Sequence, residues 1–223
     1  MAAKDPTTKP LRRDAEENRR RLLAAAKEVF AESGLDPTMD EIAARAGLGV
    51  GTAYRRFANK DELIAALFEE RIGELAVVMD RALAEEDPWR GVVSYLEGTV
   101  ALTAGDRGFR ELMLAPPAGI EFVDEARAQV GPQIDELVSR AHAAGRLRPG
   151  IEPTDLVSVV LMLAQVADYG HEREQPPWHR YLELFLGGIE ADAGTPLPGT
   201  ALSPVEQDQM LRGQAPARRS GRD

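Results

Sequence analysis

The chain has 223 residues, 43% hydrophobic and 29% charged, with no cysteine, three histidines and a net charge of −10. Such a balance suits a soluble protein with a substantial core. It excludes disulfides and thiolate metal sites, and His142, His171 and His179 are too few and too scattered for a zinc centre.

The charge is unevenly spread. Residues 1–60 carry 12 Lys and Arg against 9 Asp and Glu, a balance of +3, whereas residues 61–223 carry 15 against 28, a balance of −13. A basic amino-terminal module on an acidic body is the asymmetry expected when polyanion binding is confined to one part of a chain. The opening Met1–Arg21 is polar and charged, unlike a secretory signal, and the most apolar stretch, Leu156–Ala167, is too short to span a bilayer. A cytoplasmic protein without a membrane partner is expected.

In chain order, residues 1–14 read as a flexible basic arm. Leu22, Leu23, Ala26, Val29 and Phe30 share one face of a helix over Arg12–Ser33, stopped by Gly34. In "TMDEIAARAG", Thr38 and Glu41 form a capping box for a short helix that Gly47 ends. A third helix covers Gly49–Arg56, and a long fourth runs from "NKDEL" to about Glu85. Further helices are predicted over Pro88–Gly105, Arg107–Ala115, Glu121–Ala144 (kinked at Gly131-Pro132), Thr154–Glu172 and Trp178–Asp192. Residues 193–223 read as a disordered tail with at most a short turn near Val205–Leu211. The fold class is therefore all-α, with about nine helices and no strand. Its predicted division is a helix-turn-helix domain over 15–62 followed by a helical body over 63–192.

Three glycines, Gly47, Gly49 and Gly51, alternate ahead of the third helix. A dinucleotide-binding loop needs a preceding strand, and "DEIAARA" is helical in period; a Walker loop needs a lysine that Gly51-Thr52-Ala53 lacks. Two short helices joined by a glycine turn instead make a helix-turn-helix, whose second helix enters the major groove of DNA. At 3.6 residues per turn, Ala53 and Phe57 face inward with Val50 nearby. Gly51, Thr52 and Arg55 face outward, flanked by Tyr54 and Arg56. Lys60 stands just ahead of the fourth helix, where its ammonium and the helix N-terminus can meet a phosphate.

The run "TMDEIAARAGLGVGTAYRRFANKDELIAALF", preceded by "RRRLLAAAKEVFAESG", strongly resembles the TetR family of bacterial transcriptional regulators over about residues 15–70. Relatives usually carry Ser and Lys where this chain has Gly49 and Val50, which removes a hydroxyl cap and a cationic phosphate contact. The resemblance implies that Thr38 caps the second helix against a phosphate. It also implies that Gly51 permits close approach, that Thr52 and Arg55 meet base edges, and that Tyr54 and Lys60 grip the backbone. Arg55 is the candidate for bidentate contact with guanine; for Arg56 and Arg45, angle and burial decide. Lys4, Lys9, Arg12 and Arg13 are either a solvated tail or a source of nonspecific or minor-groove attraction.

For the acidic body the resemblance implies a small-molecule effector site and a homodimer interface, with double-stranded operator DNA as the partner and no cofactor. The candidates for the effector pocket are Leu96, Val100, Leu112, Met113, Phe122, Val123, Met162, Gln165 and Tyr169, with Tyr95 and Glu97 as further polar possibilities. Those for the dimer interface are Leu156, Val159, Val160, Leu163, Val166, Leu182 and Phe185, on the last two helices. Arg107 and Arg110 read equally well as an acidic-ligand contact or a solvated helix start. Two rivals are an all-helical enzyme, for which no nucleophile, metal or acid–base set converges, and an acidic protein-interaction module. The first reading is a ligand-responsive repressor.

Overall fold

A computed structural model describes residues 8–104, 106–114, 121–167, 175–192 and 195–211; the side chains of 8–12, 114 and 121–127 are not described. Among these residues there are ten helices and one isolated antiparallel bridge, Leu147 to Glu190. The helices are α1 (Thr8–Ser33), α2 (Met39–Arg45), α3 (Val50–Arg56), α4 (Lys60–Ala84) and α5 (Pro88–Thr103). They continue with α6 (Arg107–Leu114), α7 (Glu121–Ala143), α8 (Pro153–Ala167), α9 (Trp178–Ile189) and α10 (Pro204–Leu211). The all-α expectation holds.

Local chemistry sets most of the boundaries. Asn59 accepts a hydrogen bond from the Glu62 amide at 2.8 Å to start α4, and Asp87 accepts one from Trp89 at 3.0 Å with Pro88 opening α5. Gly34 (φ +71°) and Gly47 (φ +64°) take the left-handed conformation that ends α1 and the α2 turn. The Arg140 side chain of α7 donates to the carbonyls of Leu83 and Glu85, covering the open C-terminus of α4.

Two sequence expectations change. The predicted arm over 1–14 overlaps α1, which already begins at Thr8; Lys4 lies outside the described residues, as do the side chains of Lys9 and Arg12. The supposed tail contains α10, started by Ser203, whose hydroxyl accepts from the Glu206 amide at 3.3 Å while the Glu206 carboxylate accepts from the Ser203 amide at 2.9 Å. That capping box, with Pro204 in the first turn, overrides the surrounding Pro and Gly content.

Two apolar cores result. One gathers α1, α2, α3 and the first part of α4 around Leu22, Phe30, Ile42, Phe57, Leu63 and Phe68. It is completed by Phe109 and Leu112 from α6, so the reader's core is not closed by residues 15–62 alone. The other fills the body between α4, α5, α7, α8 and α9.

Where the two meet, α6 lies against α1 at Gly108, where any Cβ would come within 2.8 Å of Phe30 Cβ. The start of α6 is fixed by Asp106, whose carboxylate accepts from the Phe109 amide at 2.9 Å and from Arg71 of α4. Arg71 also pairs with Glu74, which pairs with Lys27 of α1 at 3.5 Å. Burial alone would lower the pKa of the Arg71 guanidinium, but Glu74 and Asp106 outweigh it and raise it. In Glu74, burial is likewise outweighed, and Arg71 and Lys27 hold its carboxyl below the usual carboxylate value. Asp106→Ala strips α6 of its cap and leaves Arg71 to Glu74 alone. A loss of about 2–4 kcal/mol in urea denaturation is expected, as for breaking a largely buried pair; an unchanged midpoint would contradict this role for Asp106.

Candidate nucleic-acid interface and effector cavity

The helix-turn-helix is assembled from short-range bonds. Thr38 and Glu41 form a reciprocal cap: the Thr38 amide donates to the Glu41 carboxylate at 2.7 Å, and the Glu41 amide to Thr38 Oγ1 at 3.3 Å. These bonds, the backbone one foremost, hold the Glu41 carboxyl below its usual pKa of 4.5. Arg21 of α1 donates to the carbonyls of Ala46 and Gly47 at 2.6 and 3.3 Å, bolting the turn to the three-helix core. Gly49 caps α3 with no side-chain hydrogen bond and has open space around it.

Helix α3 buries Ala53, its C-terminal cap Phe57 is also buried, and Arg19 stands 5.4 Å over the Phe57 ring. Its opposite face presents Gly51, Thr52, Tyr54, Arg55 and Arg56 to solvent, with Thr52 the least exposed of them. No atom lies within 4 Å of where a Gly51 Cβ would stand. Arg55 donates to Thr52 Oγ1 at 3.0 Å, so guanidinium and hydroxyl form one outward unit. Lys60 donates to the Asp36 carbonyl at 3.4 Å, which sets the N-terminus of α4 beside the loop that carries Thr38. All seven candidate DNA-contact residues thus lie on α3 or on the helix starts flanking it. Two expectations shift. Val50 is 40% exposed and does not lean into the core. Arg45 is held by Glu28 through Nε at 3.2 Å and Nη2 at 2.9 Å.

In the body, a cavity of about 550 Å³ opens between α4, α5, α7, α8 and α10, within the size range of small-ligand sites. Of the pocket candidates, Met113 lines it. Leu96 and Val100 are fully buried in the body core, and it is Tyr95 and Thr99, about 100° round α5, that face the cavity. Leu112 packs into the reader's core and borders a smaller crevice there. Met162 is 61% exposed and Gln165 is also exposed, because α8 turns Val157, Val160 and Leu161 to the cavity instead. Phe122 and Val123 belong to the undescribed side chains, and Tyr169 lies outside the described residues.

The interface candidates show the same ambiguity of phase. Leu156, Val159, Val160, Leu163 and Leu182 are buried in the protomer's own core, with Val166 and Phe185 partly buried against it. A helix apolar around most of its circumference does not reveal which arc meets its own body. The arc left outside carries Met162 and Gln165 on α8, and Tyr181, Leu184 and Gly187 on α9.

Among the described residues no group of His, Asp or Glu could hold a metal, and no helix is long and apolar enough to cross a membrane.

This arrangement, an exposed recognition-type helix on a three-helix core coupled to a hollow helical body, defines a helix-turn-helix regulator. The bacterial regulatory proteins, tetR family model matches residues 22–67, and the model for the SbtR-like transcriptional regulator C-terminal domain matches residues 87–191. The TetR transcriptional regulator SCO0520 from Streptomyces coelicolor is 30% identical, with 78% of this chain covering 99% of that one at a TM-score of 0.57. The chain belongs to the TetR family of bacterial transcriptional regulators, which are not enzymes. The regulator SrpR of Pseudomonas putida is 38% identical over 81 residues, 36% of this chain and 38% of SrpR. The chain thus spans well under half the length of that curated relative. AibR, solved with isovaleryl coenzyme A and operator DNA, shares the fold at a TM-score of 0.65 and 19% identity, over 78% of this chain and 98% of AibR.

The Thr38–Glu41 cap has a pH signature. A carboxyl whose folded pKa is depressed stabilises the fold fully above its unfolded value and loses that contribution as pH falls through the folded one. Thr38→Ala is therefore expected to make melting temperature fall less steeply than in wild type between pH 5 and pH 3. Parallel curves for the two proteins would show that the cap carries no linked stability.

Proposed function

We propose that the protein is a homodimeric repressor that reads a palindromic operator through α3 of each protomer and is released by a small molecule held in the body. The observation that carries this reading is the outward unit of Thr52, Tyr54, Arg55 and Arg56 on α3, flanked by Thr38 and Lys60 at helix N-termini. Hydroxyls, ammonium and helix starts are the groups that position a protein on phosphates, whereas a guanidinium reaching a base edge specifies sequence. Two such helices on a twofold axis meet successive major grooves about 34–36 Å apart.

Support for release comes from the residues shared between the two cores. Phe68 belongs to the reader's core and also lines the cavity. Met113 lines the cavity from the same short helix that gives Phe109 and Leu112 to the reader. A ligand that fills the cavity therefore pushes on α4 and α6, both of which shape the reader. AibR, solved with isovaleryl coenzyme A and operator DNA together, supports the idea that this fold serves both partners. A coupling of about 1–3 kcal/mol is enough to change occupancy.

For the dimer, the supporting feature is the outer arc of α8 and α9. Tyr181, Leu184 and Gly188 recur at helical spacing, and added Cβ atoms at Gly187 and Gly188 would meet nothing within 4 Å. Exposed large apolar groups beside small residues suit the close approach of a second copy.

Binding to DNA selected from a random pool tests the reader. Arg55→Ala is expected to cost about 1–3 kcal/mol and relax preference at one base pair. Lys60→Ala should weaken all sequences alike and reduce the salt slope by about 1. Wild-type affinity and selectivity in both variants, with no protected palindrome in footprinting, would sink the proposal. The interface is tested by Leu184→Glu with Met162→Glu, expected to halve the mass in sedimentation equilibrium while leaving helicity intact.

A further inference from the structure

Helix α5 packs against α4, α7, α8 and α9, so it stands at the centre of the body. One of its residues, Tyr95, is 3% exposed and lines the body cavity. Its phenol makes no hydrogen bond among the described residues, and burial, the sole influence on its acidity, pushes its pKa up. The phenol therefore stays a neutral donor at physiological pH, and a buried tyrosine O–H ordinarily has a partner.

The other polar side chains on the lining are in different circumstances. Thr154 Oγ1 donates to the Leu202 carbonyl at 2.7 Å, and Gln207 donates to the Thr154 carbonyl at 2.8 Å and to Ser158 Oγ at 3.0 Å. Asp208 has an interaction of its own, and Asp135 is exposed. Thr99, one helical turn beyond Tyr95, also lines the cavity, but its hydroxyl oxygen is sealed within the protein without a partner. The Tyr95 oxygen is not sealed in this way, so it keeps contact with the hollow.

We propose that Tyr95 is the polar anchor of this cavity, donating its phenol hydrogen to a carbonyl oxygen on an otherwise apolar ligand. The proposal rests on the body cavity being the effector site. Much of the remaining lining is aliphatic, including Ile134, Val157, Val160 and Leu161. Phe68, Ile72 and Leu75 also line it, recurring at helical spacing on α4, the helix that leaves the reader. A ligand fixed at its oxygen by α5 has its apolar part held against that face of α4, and Phe68 passes the contact to the reader's core. An apolar molecule lacking the oxygen excludes water from the phenol without replacing it, and a site built to hydrogen-bond a ligand rejects such an analogue.

Tyr95→Phe removes the oxygen and little else. The probes are 2-acetylnaphthalene and 2-isopropenylnaphthalene, which differ by the exchange of a carbonyl oxygen for a methylene group. Their dissociation constants are measured by equilibrium dialysis against the full-length protein. The preference for the ketone over the alkene is expected to be about three- to tenfold greater in wild type than in Tyr95→Phe, the worth of one hydrogen bond. The carbonyl stretch of the bound ketone should lie at lower frequency in wild type than in the variant, a shift that a merely structural role for Tyr95 does not produce. Equal preferences in the two proteins, with circular dichroism showing both folded, would overturn the anchor. So would a preference abolished by Thr99→Val and kept in Tyr95→Phe. Binding of neither probe to wild type would overturn the ligand class. A ketone held through Tyr95 that leaves the affinity for selected operator DNA unchanged would support the anchor but overturn the effector site on which its regulatory meaning depends.

Discussion

The pairing of Arg71 with Asp106 is the constraint on which the two halves of this molecule depend. Asp106 must sit at the start of α6 for that helix to begin where it does, and Arg71 must hold Asp106 for the start to stay against α4. With α6 so placed, Phe109 and Leu112 close the core beneath the helix-turn-helix, and Gly108 lets the helix meet Phe30 at backbone distance. Taking a guanidinium and a carboxylate largely out of water is expensive, and an apolar pair could be more stable. The gain is directional: an ion pair with few acceptable geometries keeps α4, α6 and α1 in one register, and a displaced α6 must break it. Such a joint favours discrete arrangements over gradual deformation, which is what a switch between binding and release requires.

Electrostatics and geometry agree about which end meets nucleic acid. The net charge of −10 argues against a polyanion partner only if it is averaged over the chain. The acidic excess belongs to residues 61–223, so in this account the body repels DNA and the +3 segment with its exposed α3 is the end that approaches it.

The reader was legible in the sequence because its signals are local. Thr38 and Glu41 lie three residues apart, Gly47 ends a turn, and Ala53 and Phe57 share a face at helical spacing; none of these needs knowledge of the distant chain. The body was legible as helices but not as a site. Leu96 and Val100 differ from Tyr95 and Thr99 by one step of 100°, and apolar content alone does not say which step looks into a hollow. Helix α8 has the same weakness, since both its arcs are apolar: Leu156, expected at an interface, is buried in the protomer's own core, and Met162, expected at the cavity, is exposed. Arg71 and Asp106 are 35 residues apart, beyond any local pattern. Helix α10 is the one element that the sequence could have disclosed: Ser203, Pro204 and Glu206 spell a helix start, obscured by the Pro- and Gly-rich segment around them.

Two readers, held by the α4–α6 joint, are expected to take operator spacing and to lose it when the cavity fills. The most direct measurement is the distance between the two readers of a dimer, by double electron–electron resonance from one spin label at Glu32→Cys, an exposed site on α1 in a chain otherwise free of cysteine. One distribution is expected, which narrows on selected operator DNA and shifts when Nile red, a neutral apolar dye, fills the cavity. The absence of dipolar coupling, or a distribution indifferent to both DNA and dye, would contradict it.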